Sequence, residues 1–556
     1  MSRGWTPASV IAARRYSVPM LARDVVAGVT VGLVALPLAM AFAIASGLTP
    51  QAGIYCAIVT GFIISALGGS KFQIGGPTGA FVVVVAGIVA EHGVNGLFMC
   101  TMMAGVLLII LGATGMGTAV KYLPRPVVVG FTNGIAVLIA STQIKDFLGL
   151  KIGAVPAEFL PRMEMLGRTL NTFTPSAAAL GVAALAIILL LRRVYPRVPG
   201  SIIVLVGGTA LVMLTGFGVD TIGTRFGGIP AGLPTMVLPT FDMALIPTLL
   251  RPAITVAMLG AIESLMSAVV ADRMGGDSHN PNMELIAQGV ANIASPVFGG
   301  LPATGAIART ATNIRAGAAS PVAGMLHAIT LLVILVAAAP LASYIPLAVL
   351  GAILLMVSYN MGEWHEIPHL LKLTRTDISV WFVTFALTVF ADLTLAVEVG
   401  MILAALLFIR KVAVTTTVSE VTPEYVEAGR AHSLQDKQLP PYVAIFRIHG
   451  PFLFGVTDKL GSVTEHLEHL PPIVVMRLRN MTAIDATGVR ALEDLAQQLR
   501  ASGRTLVLCG AGPQPAAVMR ASEFHLHVGA RNLCSSIESA LVRAREIHEE
   551  SLITTH

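Results

Sequence analysis

The sequence predicts a polytopic α-helical membrane protein of fourteen transmembrane segments, built as two inverted repeats of seven, with half-helices in segments 3 and 10. A small cytoplasmic α/β domain follows at the C-terminal end. Three observations carry that expectation. Apolar stretches of about 17–22 residues recur from Asp24 to Ile409, each long enough for a hydrocarbon core of roughly 30 Å. After Arg410-Lys411 the composition turns abruptly polar. Two Gly/Pro stretches, Gly75-Gly76-Pro77-Thr78-Gly79-Ala80 and Gly300-Leu301-Pro302-Ala303-Thr304-Gly305-Ala306, break the third apolar segment of each half.

With 55% hydrophobic residues and a mean hydropathy of +0.78, the 556-residue chain is too apolar for a soluble enzyme. The first apolar run follows Arg14, Arg15 and Arg23 without a small-residue cleavage site, so it reads as a retained span. The candidate segments are 24–45, 51–68, 72–91, 96–120, 125–142, 176–193, 199–216, 252–271, 283–297, 301–317, 320–339, 345–359, 377–391 and 394–411. With that count, Lys71, Lys121, Arg125, Arg192, Arg193, Arg273, Lys372, Arg375, Arg410 and Lys411 fall on one side together with the N-terminal arginines. The positive-inside bias makes that side cytoplasmic, with both termini on it, which an even number of spans requires. The inner membrane is the expected location, and the net charge of +5 is accounted for by these flanking residues rather than by nucleic-acid binding.

Seven segments before the 217–251 loop and seven after it suggest repeats of opposite orientation. Segments 3 and 10 would then enter from opposite sides as extended chain and become helix near the midplane. Irregular backbone at that depth is tolerated only where it is buried in protein or lines a cavity. A helix start presents free N–H groups and a partial positive charge, so two opposed starts make an anion site without any basic side chain. Gly76, Gly79, Ala80 and Gly305 allow close backbone approach, while Thr78 and Thr304 can cap the helices. A pair of tightly packed kinks is the competing explanation.

Arg309 is expected about one turn and a half into the segment-10 helix, where a cation needs a cavity or a partner. It would add positive potential to the site, or form an ion pair with Glu263. Glu263 stands in the middle of apolar segment 8 with Ser267 one turn later on the same face. An acid at that depth loses hydration and is a candidate proton carrier, so Glu263 and Ser267 are the coupling candidates. Phe42 and Phe81 are candidates to wall the site. Asp272, Arg273, Asp277, His279, Asn280 and Asn282 read as a polar loop or a cytoplasmic gate. The four cysteines (Cys56, Cys100, Cys509, Cys534) are scattered and suggest neither disulfides nor a metal, and no cofactor motif or catalytic constellation is visible.

At these residues the chain resembles the SulP family of anion transporters. The matching stretches are Asp24 to Tyr55 around Val34-Ala35-Leu36-Pro37-Leu38-Ala39-Met40-Ala41-Phe42-Ala43, then Gly75 to Phe81, Ile262-Glu263-Ser264-Leu265, Asn280 to Asn292 and Phe298 to Pro321. The resemblance implies an elevator-like shift of a core against a gate domain, a homodimer, and a site between segments 3 and 10 with segments 1 and 8 contributing. It places Phe42, Phe81, Glu263 and the run Ala306, Ile307, Ala308, Arg309, Thr310 in that site. A sodium-coupled bicarbonate branch of the family has Asp where Glu263 stands and differs around Ala306–Arg309. That departure favours protons over sodium here. The overall look is toward the bacterial branch that carries four-carbon dicarboxylic acids, with sulfate carriers close behind.

The tail reads as short strands at 442–448, 473–478 and 505–509 with helices near 457–470, 487–502, 513–521 and 532–547. It resembles the STAS domain that ends SulP carriers, with the signature loop Ile484-Asp485-Ala486-Thr487-Gly488. Soluble relatives carry a phosphorylatable Ser where Ala486 stands. The expected organisation is a transmembrane domain over 1–412, a linker over 413–439 and a STAS domain over 440–550 that offers a surface to a cytoplasmic protein partner. The functional expectation is secondary active, proton-coupled transport of a small dianion such as succinate, fumarate or sulfate. Bicarbonate transport and uncoupled exchange or channel conduction are the alternatives.

Overall fold

In the computed structural model, the described residues are 5–554 except 15, 119–123, 154, 157, 196–198, 230–231, 233–235, 237–238, 373, 392, 421–439, 455, 461–462 and 464–466. They form two compact units, residues 1–403 and 404–556.

The first unit is helical: α1 Val18–Ala45, α2 Pro50–Leu67, the two-residue strand β1 Gly75–Gly76, α3 Gly79–Ala113, α4 Arg125–Leu148, α5 Pro175–Val194 and α6 Gly200–Thr215. It continues with α7 Ile246–Gly275, α8 Pro281–Val297, strand β2 Thr304–Gly305, α9 Ile307–Arg315, α10 Val322–Ala342, α11 Leu347–Met361, α12 Arg375–Phe390 and α13 Leu393–Thr415, whose residues from Ala404 on belong to the second unit. Proline in the first turn of α1, α2 and α8 starts those helices where its missing N–H costs nothing. Among the described residues eight helices are long and apolar enough to cross a membrane.

Each expected segment falls on a helix, with segments 3 and 4 sharing α3. The break between them is Gly93, whose φ of 68° and ψ of −176° no helix accommodates. Segment 10 is the largest departure from a full span: its helix, α9, has only 9 residues. Both interrupted segments run as extended chain before their helices begin, at Gly79 and Ile307. There β1 and β2 pair antiparallel, Gly75 opposite Gly305 and Gly76 opposite Thr304. Antiparallel pairing means the two chains arrive from opposite directions, as the inverted halves require.

Buried polar side chains satisfy the backbone that these stretches leave without helical partners. Asn292 of α8 acts as a surrogate peptide: Ala303 N–H donates to its Oδ1 and its Nδ2 donates to the Ala303 carbonyl, both at 2.8 Å. Glu284 Oε2 accepts from the Gly69 and Ser70 N–H groups at 2.9 and 3.1 Å. Ser295 Oγ donates to the Leu301 carbonyl at 2.7 Å. Helix α8 itself packs on α3 through Gly105 and Gly289, where a Cβ on either would lie within 2.7 Å of the other's carbonyl oxygen.

The second unit is a five-stranded sheet in the order β3–β4–β5–β6–β7: β3 Thr417–Glu420, β4 Val443–Phe452, β5 Ile473–Ile484, β6 Thr505–Cys509 and β7 Leu533–Cys534. The pairs from β4 to β7 are parallel and β3 is an antiparallel edge. That edge strand lies in the stretch expected to be linker. Helices α14 Ala486–Ala501 and α15 Pro513–Ala521 contribute Leu492, Leu499 and Met519 to the apolar core on one face, while Ile537, Ala540 and Ala544 of α16 Ile537–Thr554 cover the other. Asp485 caps α14, its Oδ1 accepting from Gly488 N–H at 2.8 Å. The expected helix over 457–470 is replaced by 3-10 turns at Thr457–Leu460 and Leu467–His469, and the rest of it lies outside the described residues.

Replacing Asn292 with Leu keeps the number and branching of side-chain heavy atoms but strands a buried N–H and a buried C=O. The expected loss is about 3 kcal/mol, from roughly 1–3 kcal/mol per orphaned group, read as a lowered thermal unfolding midpoint of the detergent-solubilised protein.

Candidate functional site

The extended stretch before α3 is fixed from two neighbours. Ile74 N–H donates to Thr310 Oγ1 at 3.0 Å, and Asn313 Nδ2 donates to the Phe72 carbonyl at 2.9 Å, so α9 holds the chain that leads into α3. Helix α7 holds both stretches. Gln73 Nε2 donates to Ser264 Oγ at 2.8 Å, Thr304 Oγ1 donates to the Gly260 carbonyl at 2.8 Å, and Ser267 Oγ donates to Thr310 Oγ1 at 3.1 Å. In β2, Gly305 is required by crowding: a Cβ there would lie 2.0 Å from Gln73 Nε2.

The two helix starts open on a cavity of about 290 Å³. Thr78 and Gly79 reach it from α3, and Gly305, Ala306, Ile307, Ala308 and Arg309 from β2 and α9. Glu263 and Met266 line it from α7, Leu38 and Phe42 from α1. First-turn N–H groups have no carbonyl within their own helix. Two sets of them therefore face one small space.

Arg309 sits in the first turn of α9, the third helical residue after the start at Ile307, rather than a turn and a half in. A cation at a helix N-terminus opposes the macrodipole and so sharpens the positive potential there. Its side chain is 2% exposed. Nη2 donates to the Pro77 carbonyl, while Nη1 is buried with no hydrogen-bond partner. Gly76, at φ +146°, gives that guanidinium its room: a Cβ would meet Nη1 at 2.5 Å. The expected alternative of an Arg309–Glu263 ion pair is not formed; among the described residues neither carries an ion pair within 4 Å.

Glu263, half-buried, instead accepts a hydrogen bond from Thr78 Oγ1 at 2.8 Å. Neither threonine caps its helix as expected. Thr78 is the N-cap residue of α3 but spends its hydroxyl on Glu263, and the N-cap of α9 is Ala306, Thr304 being turned to α7. Glu263 thereby joins the start of α3 to α7, and Thr78 leaves one face of the carboxylate toward the cavity.

The sulfate permease family matches residues 21–384, and the STAS domain matches residues 435–540. The chain belongs to the sulfate permease family. YvdB of Bacillus subtilis, whose name marks it as a candidate sulfate transporter, is 39% identical over 518 residues, covering 92% of this chain and 96% of that protein. The bicarbonate transporter BicA of a Picosynechococcus species is 30% identical over 507 residues, covering 88% and 89%. The BicA transmembrane domain structure superposes with a TM-score of 0.61 at 33% identity, over 70% of this chain and 98% of that one. The murine anion transporter Slc26a9 in its inward-facing state gives a TM-score of 0.86 over 98% and 94% of the two chains. At 18% identity that likeness speaks to fold. This sulfate permease family member is thus a multi-pass membrane transporter, not an enzyme.

Of the sequence-expected site residues, the cavity wall gathers Phe42, Thr78, Gly79, Glu263, Gly305, Ala306, Ile307, Ala308 and Arg309. Gly76, Ala80, Phe81, Thr304 and Ser267 are not on it. Gly76 stands behind Arg309, Phe81 is buried against Gly260, Thr304 ties β2 to α7, and Ser267 ties α7 to α9. The polar residues after α7 tie that loop together: His279 Nδ1 meets Asp272 Oδ2 at 2.7 Å, and Lys71 Nζ meets Asp277 Oδ2 at 2.8 Å. The opposite wall was not expected from sequence. Val127, Val128, Phe131 and Thr132 of α4 and Asn360, Met361 and Glu363 at the end of α11 complete the cavity. Only Asn360 and Glu363, polar residues at the end of an apolar run, left a signal that could have marked them.

Gly76→Ala is expected to displace the Arg309 guanidinium and cut anion affinity by about tenfold or more, on the scale of one lost charge-assisted hydrogen bond. Gly87→Ala, where an added Cβ meets nothing within 4 Å, is the matched control and should bind as wild type. Titration of sulfate against the thermal unfolding midpoint measures both.

Proposed function

We propose that the protein is a secondary active transporter of small oxyanions, proton-coupled and working by an elevator-type shift. Sulfate is the expected substrate, and four-carbon dicarboxylates such as succinate and fumarate are within reach of a 290 Å³ cavity. The observation that carries this reading is the partnerless Nη1 of buried Arg309, standing at the junction of two helix N-termini. An oxyanion supplies what that nitrogen and the free N–H groups lack. The two walls support the elevator motion. One is built from α1, α3, α7 and α9 around the strand pair, the other from α4 and α11, and sliding one past the other carries the cavity with its ligand.

Glu263 supports proton coupling. An arriving dianion meets a carboxylate on the same wall, and a proton on Glu263 relieves that repulsion and reduces the net charge carried through the bilayer. Identity to BicA favours bicarbonate as a second substrate reading. The basic residues at one set of helix ends support cytoplasmic termini in a bacterial inner membrane. A homodimer and a protein partner for the STAS domain complete the reading.

Sulfate uptake into proteoliposomes, with and without an inward proton gradient, tests it. Wild-type uptake should rise with the gradient. Glu263→Gln should keep counterflow yet ignore the gradient, and Arg309→Gln should lose uptake by about tenfold or more. Gradient-independent wild-type uptake would sink symport. Undiminished, saturable uptake by Arg309→Gln would sink the site.

A further inference from the structure

The cavity holds a second carboxylate that the coupling argument leaves unused. Glu363 stands just beyond α11, half-buried, among the residues that line the same cavity. The charged groups around it come from several elements. From the start of α4, Arg125 Nη2 is paired with Glu366 Oε1 at 2.6 Å, on the 3-10 turn that follows Glu363. Exposed His365 lies 3.4 Å from the same Glu366 oxygen. From the last turn of α5, Arg192 Nη1 donates to Asn360 Oδ1 at 2.7 Å. Arg309 and Glu263 line the same cavity. The rim cations are thus engaged by Glu366 and Asn360, and among the described residues no ion pair within 4 Å or hydrogen bond reaches the Glu363 carboxylate. Arg125 and His365 are 68% and 78% exposed at their side chains, which puts Glu363 at the mouth of the cavity rather than its floor.

An acid without an ion pair or hydrogen bond of its own, at the mouth of an anion cavity, needs a reason. Resting on the reading of this cavity as the anion site, we infer that Glu363 is a specificity-determining residue that selects anions by charge. While ionised it repels an arriving anion, and it repels a dianion twice as strongly as a monoanion, since the Coulomb energy scales with the ligand's charge. Falling pH protonates it and removes that discrimination. It acts on the ligand's arrival and not on the coupling proton, which belongs to Glu263 on the other wall.

The test is the KM and kcat of sulfate and of nitrate, a dianion and a monoanion, measured across a pH series in proteoliposomes for wild type, Glu363→Gln and Glu363→Asp. For Glu363→Gln the sulfate KM at neutral pH should fall about three- to tenfold, the nitrate KM by about the square root of that factor. Its kcat should change less than its sulfate KM, because the group acts on the charge of the arriving anion. Its sulfate KM should climb less with pH than that of wild type, the remaining climb being that of Glu263, and Glu363→Asp should keep the full wild-type climb. Equal changes for both anions, an unaltered KM–pH curve in Glu363→Gln, or a loss confined to kcat would overturn the inference. Wild type without saturable uptake of either anion would overturn the transport reading on which it rests.

Discussion

Four residues of paired backbone hold this transporter's site together. Gly75 and Gly76 meet Thr304 and Gly305 in an antiparallel bridge, and everything chemical about the cavity follows from where that bridge places two helix starts. In a hydrocarbon medium an open strand end would leave donors and acceptors without water. The bridge resolves this only because both strands bring each other and because neighbouring helices supply the remaining partners. The cost of irregular backbone at depth is met by side chains, and the return is a set of N–H groups aimed at one space.

Those side chains divide the labour unevenly. Helix α8 clamps both stretches through Glu284 and Asn292, while α7 latches them through Ser264 and the Gly260 carbonyl and holds α9 through Ser267. Helix α9 has two tasks. Its Thr310 and Asn313 hold the opposite stretch, and its Arg309 reaches across to the Pro77 carbonyl. The start of α3 provides backbone and a hydroxyl; the start of α9 provides backbone and a full charge. Two topologically matched elements therefore present unequal chemistry to the space between them.

Much of this was legible in the chain, and the reasons for the rest are physical. Gly75–Ala80 and Gly300–Ala306 marked the irregular segments because Gly and Pro at membrane depth have few structural explanations. Arg309 and Glu263 stood out because charge at that depth is expensive. The pairing of the two stretches was not legible, since each contributes only two residues and no periodicity forms over so short a length. Thr78 and Thr304 read locally as caps, but tertiary partners outbid the local hydrogen bond: the Glu263 carboxylate for one, an α7 carbonyl for the other. Ser267 does lie one turn from Glu263, yet helical spacing cannot foretell that its hydroxyl is taken by Thr310. The α4 and α11 wall is largely apolar, and apolar side chains in spans carry no mark that separates a cavity lining from lipid-facing surface or ordinary packing.

The central claim is that one oxyanion sits between the two helix starts, against the free nitrogen of Arg309. Locating a bound anion tests it most directly. Selenate, a heavier oxyanion of sulfate's shape, can be placed by anomalous scattering in crystals of the full-length protein. The account predicts one selenium site inside the cavity, within hydrogen-bond reach of Arg309 Nη1 and of the first-turn N–H groups at Gly79 and at Ile307–Arg309. Selenium bound only elsewhere, with this cavity unfilled under conditions that support selenate transport, would contradict it.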